Sequence, residues 1–185
     1  MIARDTVASD DPLRVFLALR LPETALDSLA RWQQEQLSGG RIVPREQLHL
    51  TLAFLGATPR CALGEVYTAL ERAASVAGPI ELAPLGWRET RSVGMLVLAE
   101  DRAARELADD LAGRLEAFGR YRRERRPWLP HVTVLRFRER PRLAPMLPPM
   151  GTFVPSDAAA FLSRLHPSGA RYEILHTTPL GGTTR

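Results

Sequence analysis

"HLTLAFLG" at 49–56 and "HVTVLRF" at 131–137 decide how this chain is read. Each is an apolar run of strand type that opens on His-x-Thr. In an extended strand, residues two apart share a face. His49 and Thr51 therefore stand together with Leu50 and Leu52 behind them, and His131 and Thr133 stand together with Val132 and Val134 behind. The aliphatic side chains bury and anchor the strand, which leaves imidazole and hydroxyl on the opposite surface. An imidazole exchanges a proton near neutral pH, and a threonine hydroxyl donates to a phosphoryl oxygen. Two such pairs face to face supply two proton-transfer groups and two phosphate donors. That set suits the opening of a cyclic phosphodiester by water. One histidine takes the proton of the attacking water and the other protonates the departing ribose oxygen.

Working outward, "RVFLALRL" (14–21) reads as a strand and "PETALDSLARWQQEQL" (22–37) as a helix stopped by Ser38-Gly39-Gly40. A second helix is expected over about 62–77, strands over 80–87 and 94–100, and the clearest helix over 101–119. After the second His-x-Thr run, the proline-rich stretch 140–151 is a loop, and two closing strands meet at a turn at 166–169. The chain shows a weak internal repeat: strand, helix, then a His-x-Thr strand, with the histidines 82 positions apart. One histidine per lobe lets a pseudo-twofold set them face to face. A third match, His176-Thr177-Thr178-Pro179, lacks apolar residues at both intervening positions, and its proline ends any strand. It reads as an ordinary strand end.

Composition narrows the chemistry. The chain has 185 residues and a formal net charge of +4, and all 25 of its Lys+Arg residues are arginine. Lysyl-nucleotide ligation, a P-loop lysine and a Schiff-base lysine are excluded, whereas the arginine fork suits phosphate oxygens. Cys61 is the single cysteine, so no internal disulfide and no Cys-rich zinc site can form. A cytoplasmic setting is the simplest expectation. No apolar run reaches the ~20 residues of a membrane span. Residues 1–12 are expected to form a flexible tail without a signal sequence, 13–180 one bilobal domain, and 181–185 a frayed end.

At "VFLALRLP" (15–22), "LHLTLAFLG" (48–56), "PHVTVLR" (130–136) and "SGARYEIL" (168–175) the sequence resembles the 2H phosphoesterases. More narrowly it resembles the RNA 2′,3′-cyclic phosphodiesterases, also called 2′-5′ RNA ligases. The likeness runs over roughly 14–180. It implies an α+β, bilobal pseudo-twofold fold with two antiparallel sheets facing a central cleft and helices packed outside. It implies hydrolysis of 2′,3′-cyclic phosphate RNA ends, or of nucleoside 2′,3′-cyclic phosphates, to 2′-phosphates. A weak ATP-independent 2′-5′ joining reaction follows, with no cofactor, no metal, no membrane and a monomeric chain.

Carried over motif by motif, the resemblance makes His49 and His131 the catalytic pair, with His49 the acid toward the 3′-oxygen and His131 the base toward water. Thr51, Thr133 and Arg136 contact phosphate. A strict pleat aims Arg136, five residues after His131, away from the histidine face, and a bulge after Thr133 would turn it back. Phe54 has the same parity, so a core position competes with base stacking there. Arg123, Arg126 and Trp128, in the arginine-dense segment 120–130, and Tyr172 are further candidates for RNA or base contact. Two other functions compete: a related phosphodiesterase acting on 2′-5′ oligoadenylate or ADP-ribose cyclic phosphate, and a nucleotide- or RNA-binding module without catalysis. The loops at 38–47, 119–129 and 140–151 would discriminate the substrates.

Overall fold

The computed structural model describes residues 11–181 apart from 124, 167 and 168. The expected N-terminal tail therefore falls almost wholly outside the described residues, as do most of the C-terminal tail and the middle of the 166–169 turn. In chain order the elements are β1 (Leu13–Arg20), α1 (Glu23–Gln36), β2 (Arg41–Ile42), β3 (His49–Thr58), α2 (Leu63–Ser75), β4 (Pro84–Glu89), β5 (Val93–Leu98), α3 (Arg102–Ala117), β6 (His131–Arg136), β7 (Asp157–Arg164) and β8 (Arg171–Thr178). This is the expected α+β series with the two-residue β2 added. The first closing strand begins only at Asp157, because Pro155 has no N–H to give a ladder.

The expectation of two sheets needs refinement. Every pairing is antiparallel, and the strands form one hydrogen-bonded path, β4-β5-β6-β3-β1-β7-β8, with β2 beside β6. The two expected sheets are the halves of this path, and they meet through the single pair Leu50↔Val132 between β3 and β6. The path carries a repeat about that waist, within β6-β5-β4 on one side and β3-β1-β7-β8 on the other. The unit β1-α1-β3 on one side repeats as β5-α3-β6 on the other. An antiparallel pair has a local twofold through its centre, and here the axis passes between Leu50 and Val132.

Burial explains why the waist holds. Leu17, Leu19, Leu50, Leu96 and Val132 are fully buried and pack in one core with Leu29 and Trp32 of α1, Val66 and Leu70 of α2, and Leu107, Leu111 and Leu115 of α3. Each such side chain contributes roughly 1.5–3 kcal/mol on leaving water. A second cluster, Phe16, Ala18, Ala159 and Phe161 with Tyr172, lies on the other face of the same strands. This burial on both faces is why β1 reads as an unbroken apolar run. Asp101 caps α3 by accepting from the Ala104 N–H at 2.8 Å, and Gly119 ends that helix at φ +67. Gly181, expected to fray, is held: its N–H donates to the Ala74 carbonyl at 2.8 Å, and a Cβ there would lie 2.1 Å from the Ser75 oxygen.

Candidate active site

The waist determines what stands on the open face. Leu50 and Val132 point into the core, so their neighbours His49, Thr51, His131 and Thr133 point the other way, and all four are half-buried. Continuing the Leu50↔Val132 register by one residue sets His49 across from Thr133 and Thr51 across from His131. The two His-x-Thr pairs thus form one diagonal set of four around the pseudo-twofold.

The pleat then breaks at the same place in both strands. The β1–β3 ladder pairs Ala18 with Thr51 and Leu17 with Ala53, skipping Leu52. The β5–β6 ladder pairs Met95 with Thr133 and Gly94 with Leu135, skipping Val134. Each bulge sits three residues after its histidine. Two successive side chains are buried behind it, Leu52-Ala53 and Val134-Leu135, and the next residue turns outward. That residue is Phe54 in β3 and Arg136 in β6. Gly94, opposite the second bulge, leaves room for the Trp87 ring, 2.3 Å from where a Cβ on Gly94 would lie. Phe54 is 46% exposed and is not a core residue. Its ring lies parallel to Phe16 at 6.3 Å and under the Arg14 guanidinium at 5.0 Å.

Both imidazoles are held in the same way. The Nδ1 of His49 lies 2.7 Å from the Gln47 carbonyl, and the Nδ1 of His131 lies 2.8 Å from the Leu129 carbonyl, each two residues upstream. A carbonyl only accepts, so Nδ1 carries the hydrogen and Nε2 is left for proton transfer. Their surroundings differ. Phe16 (4.8 Å), Tyr172 (5.4 Å) and Phe161 (6.0 Å) wall in the His49 ring. This burial lowers the His49 pKa to about 4. The Gln47 carbonyl partly opposes the shift, and the charges of His131 and Arg136 add to it. A recess of about 260 Å³ opens beside His49 between Arg20, Leu48, Phe161, Tyr172 and Ile174. A larger, open concavity of about 700 Å³ lies between Trp87, Glu89, Arg140 and Leu143 and includes neither histidine.

The arginine-dense segment is distributed otherwise than a free RNA track. Arg123 donates to Asp109 at 2.9 Å, and its backbone N–H donates to Glu116 at 2.9 Å, so it is tied to α3. Arg126 is exposed. Trp128 packs against the main core and donates its indole N–H to the Thr51 carbonyl at 2.9 Å, which ties the approach to His131 onto the opposite strand. His176 lies outside the set, stacked on Tyr67 at 4.7 Å with its Nε2 2.9 Å from a Glu71 carboxylate oxygen. Among the described residues, no three His, Cys, Asp or Glu side chains converge as metal ligands would.

Sequence reasoning missed the aromatic wall of Phe16 and Phe161. A signal was present in β1, where Phe16 shares parity with Ala18 and Arg20 rather than with the leucines. It also missed Gln33, a 1% exposed amide inside α1.

The profile of the 2′-5′ RNA ligase superfamily matches residues 21–166. The RNA 2′,3′-cyclic phosphodiesterase of Thermus thermophilus is 32% identical over 190 residues, covering 92% of this chain and 91% of that protein. A crystal structure of a Thermus thermophilus protein superposes with a TM-score of 0.80 at 29% identity, covering 93% of this chain and all of that one. The Escherichia coli LigT structure complexed with 3′-AMP superposes with a TM-score of 0.73 at 24% identity over 91% of this chain and 98% of that one, a likeness of fold. With its family profile matched over most of its length and its two His-x-Thr strands paired at the waist, the chain belongs to the 2′-5′ RNA ligase superfamily.

Proposed function

We propose that this protein is an RNA 2′,3′-cyclic phosphodiesterase that opens the cyclic phosphate to a 2′-phosphate. The observation that carries the reading is the matched pair of imidazoles. Both are anchored through Nδ1 to a carbonyl two residues back, and both stand beside a threonine around one pseudo-twofold. Water attacks phosphorus, the P–O3′ bond breaks, one Nε2 accepts the water proton and the other Nε2–H protonates O3′. The Thr51 and Thr133 hydroxyls donate to the non-bridging oxygens, and Arg136 supplies positive charge to them. Phe54 and Tyr172 offer faces for the nucleobase, and the exposed Arg126 is a candidate for the RNA backbone. With an RNA 5′-hydroxyl in place of water, the same attack on phosphorus breaks the P–O3′ bond, protonates O3′ and joins ends through a 2′-5′ bond without ATP, driven by opening of the cyclic phosphate. Nucleoside 2′,3′-cyclic phosphates are the minimal substrates.

His49 takes the acid role and His131 the base role when the nucleoside rests on the Phe54 side. Burial opposes this in the empty cleft by keeping His49 neutral. The anionic phosphate, bound beside the ring, is then what charges His49, so the acid forms with its substrate.

The test is a short RNA ending in 2′,3′-cyclic phosphate, incubated with the protein in EDTA without ATP. A 2′-phosphate product that disappears in His49→Ala and in His131→Ala is expected. A 3′-phosphate product would overturn the leaving-oxygen assignment. Turnover retained in either variant would overturn the two-histidine mechanism.

A further inference from the structure

We infer that Gln33 is a positioning residue for the phosphate arginine, an inference that rests on the reading of Arg136 given above. Gln33 lies on the buried face of α1, where helical spacing calls for an apolar side chain, and it is only 1% exposed. Its side-chain Nε2 donates twice: to the Val134 carbonyl at 2.8 Å and to the Val43 carbonyl at 3.0 Å. Val134 is the residue skipped by the β5–β6 ladder. A bulge interrupts the ladder to β5 at its extra residue, so Val134 is held from its other side. Here the Val134 carbonyl accepts both from Gln33 and from the Val43 N–H at 3.0 Å. The same amide thus clamps the bulge and the residue that follows β2, and β2 in turn pairs with Leu135 and Arg136. Helix α1 belongs to the first repeat and the bulge to the second, so the clamp crosses the pseudo-twofold.

The consequence is directional. Without a stable bulge after Thr133 the pleat would run straight and carry Arg136 to the helix-packed face. Gln33 does not face the cleft and touches no reacting atom. It acts by keeping the fork of Arg136 on the side where the threonines and histidines stand.

A double-mutant cycle tests this. Gln33→Met keeps the length of the side chain and removes both donors. Binding of inorganic phosphate and kcat/KM on a nucleoside 2′,3′-cyclic phosphate are measured for wild type, Gln33→Met, Arg136→Ala and the double variant. Gln33→Met is expected to weaken phosphate binding roughly tenfold, and to raise KM more than it lowers kcat, when Arg136 is present. In the Arg136→Ala background its effect should shrink to less than about twofold. Equal losses in both backgrounds, or no loss in either, overturn the inference. Should Gln33→Met fail to fold, Gln33→Leu, which also removes both donors and suits an apolar helix face, replaces it in the cycle. A wild type that binds phosphate with this coupling yet opens no cyclic phosphate would sink the proposed function and leave the positioning role standing.

Discussion

His49 and His131 share an anchor but not an environment. Replacing either with alanine is expected to lower kcat by roughly 10²–10⁴-fold, with an unchanged far-UV circular dichroism spectrum, because both rings stand on the open face rather than in the main core. A ring-proton NMR titration of the free protein should place the His49 pKa near 4. On saturation with inorganic phosphate that value should rise, since an anion beside the ring favours its charged form. A His49 that stays neutral with phosphate bound would exchange the acid and base roles. Arg136 and Phe54 stand at the same position of the two repeats and do different work: one side of the axis presents a cation, the other a ring. Phe54→Ala should therefore raise KM for nucleoside cyclic phosphates by roughly 5–150-fold, the range that base stacking commands. Inorganic phosphate, which has no base, should bind this variant as it binds wild type.

At the scale of the element, the two bulges convert ordinary strands into a site. A regular β3 and β6 would offer only His and Thr to the cleft; the skipped Leu52 and Val134 add Phe54 and Arg136. The waist between these strands is narrow, a single Leu50↔Val132 pair, and it is backed by fully buried side chains. Leu50→Ala should lower stability by about 2–5 kcal/mol, measured as the shift of the urea unfolding midpoint at unchanged m-value. A loss well under that range would mean that the waist is held by the Trp128 and Gln33 bonds rather than by packing. Most other ion pairs are exposed, such as Arg102–Glu106 and Arg45–Asp27, and removing them should matter little. Glu89 differs: its side chain is only 2% exposed, it accepts from Arg140 at 2.8 Å and from the Leu143 N–H at 2.7 Å, and these bonds hold its carboxyl below the usual range against the effect of burial.

For the whole molecule, the low pKa of His49 ties stability to pH. The folded state resists charging this imidazole until about pH 4, while an unfolded chain charges it near 6.5. Its contribution is therefore complete above about 6.5 and is lost as pH falls toward 4, when only the unfolded chain binds the proton. The decline attributable to His49 should be on the order of 3 kcal/mol. It is read by comparing the pH dependence of urea unfolding in wild type and in His49→Gln, where this component should vanish. Identical pH profiles for the two proteins would show that the ring is already solvated in the fold. Among the described residues, no helix is long and apolar enough to cross a membrane.

Period-two spacing with two His-x-Thr runs was enough to name the four central side chains, because i and i+2 share a face in any strand. The strand-helix-strand repeat was legible for the same local reason, in the caps, glycines and helical stripes of α1 and α3. What residue spacing did not contain was long-range. Whether the halves form two sheets or one depends on a single cross-strand pair between residues 82 apart in sequence. The exposure of Phe54 depends on a bulge that is defined only against the register of β1. The burial that drops the pKa of His49 comes from rings on β1, β7 and β8. Local propensity determines which face a residue takes within its own strand. The register between strands, and therefore what faces it, is decided only when the core closes.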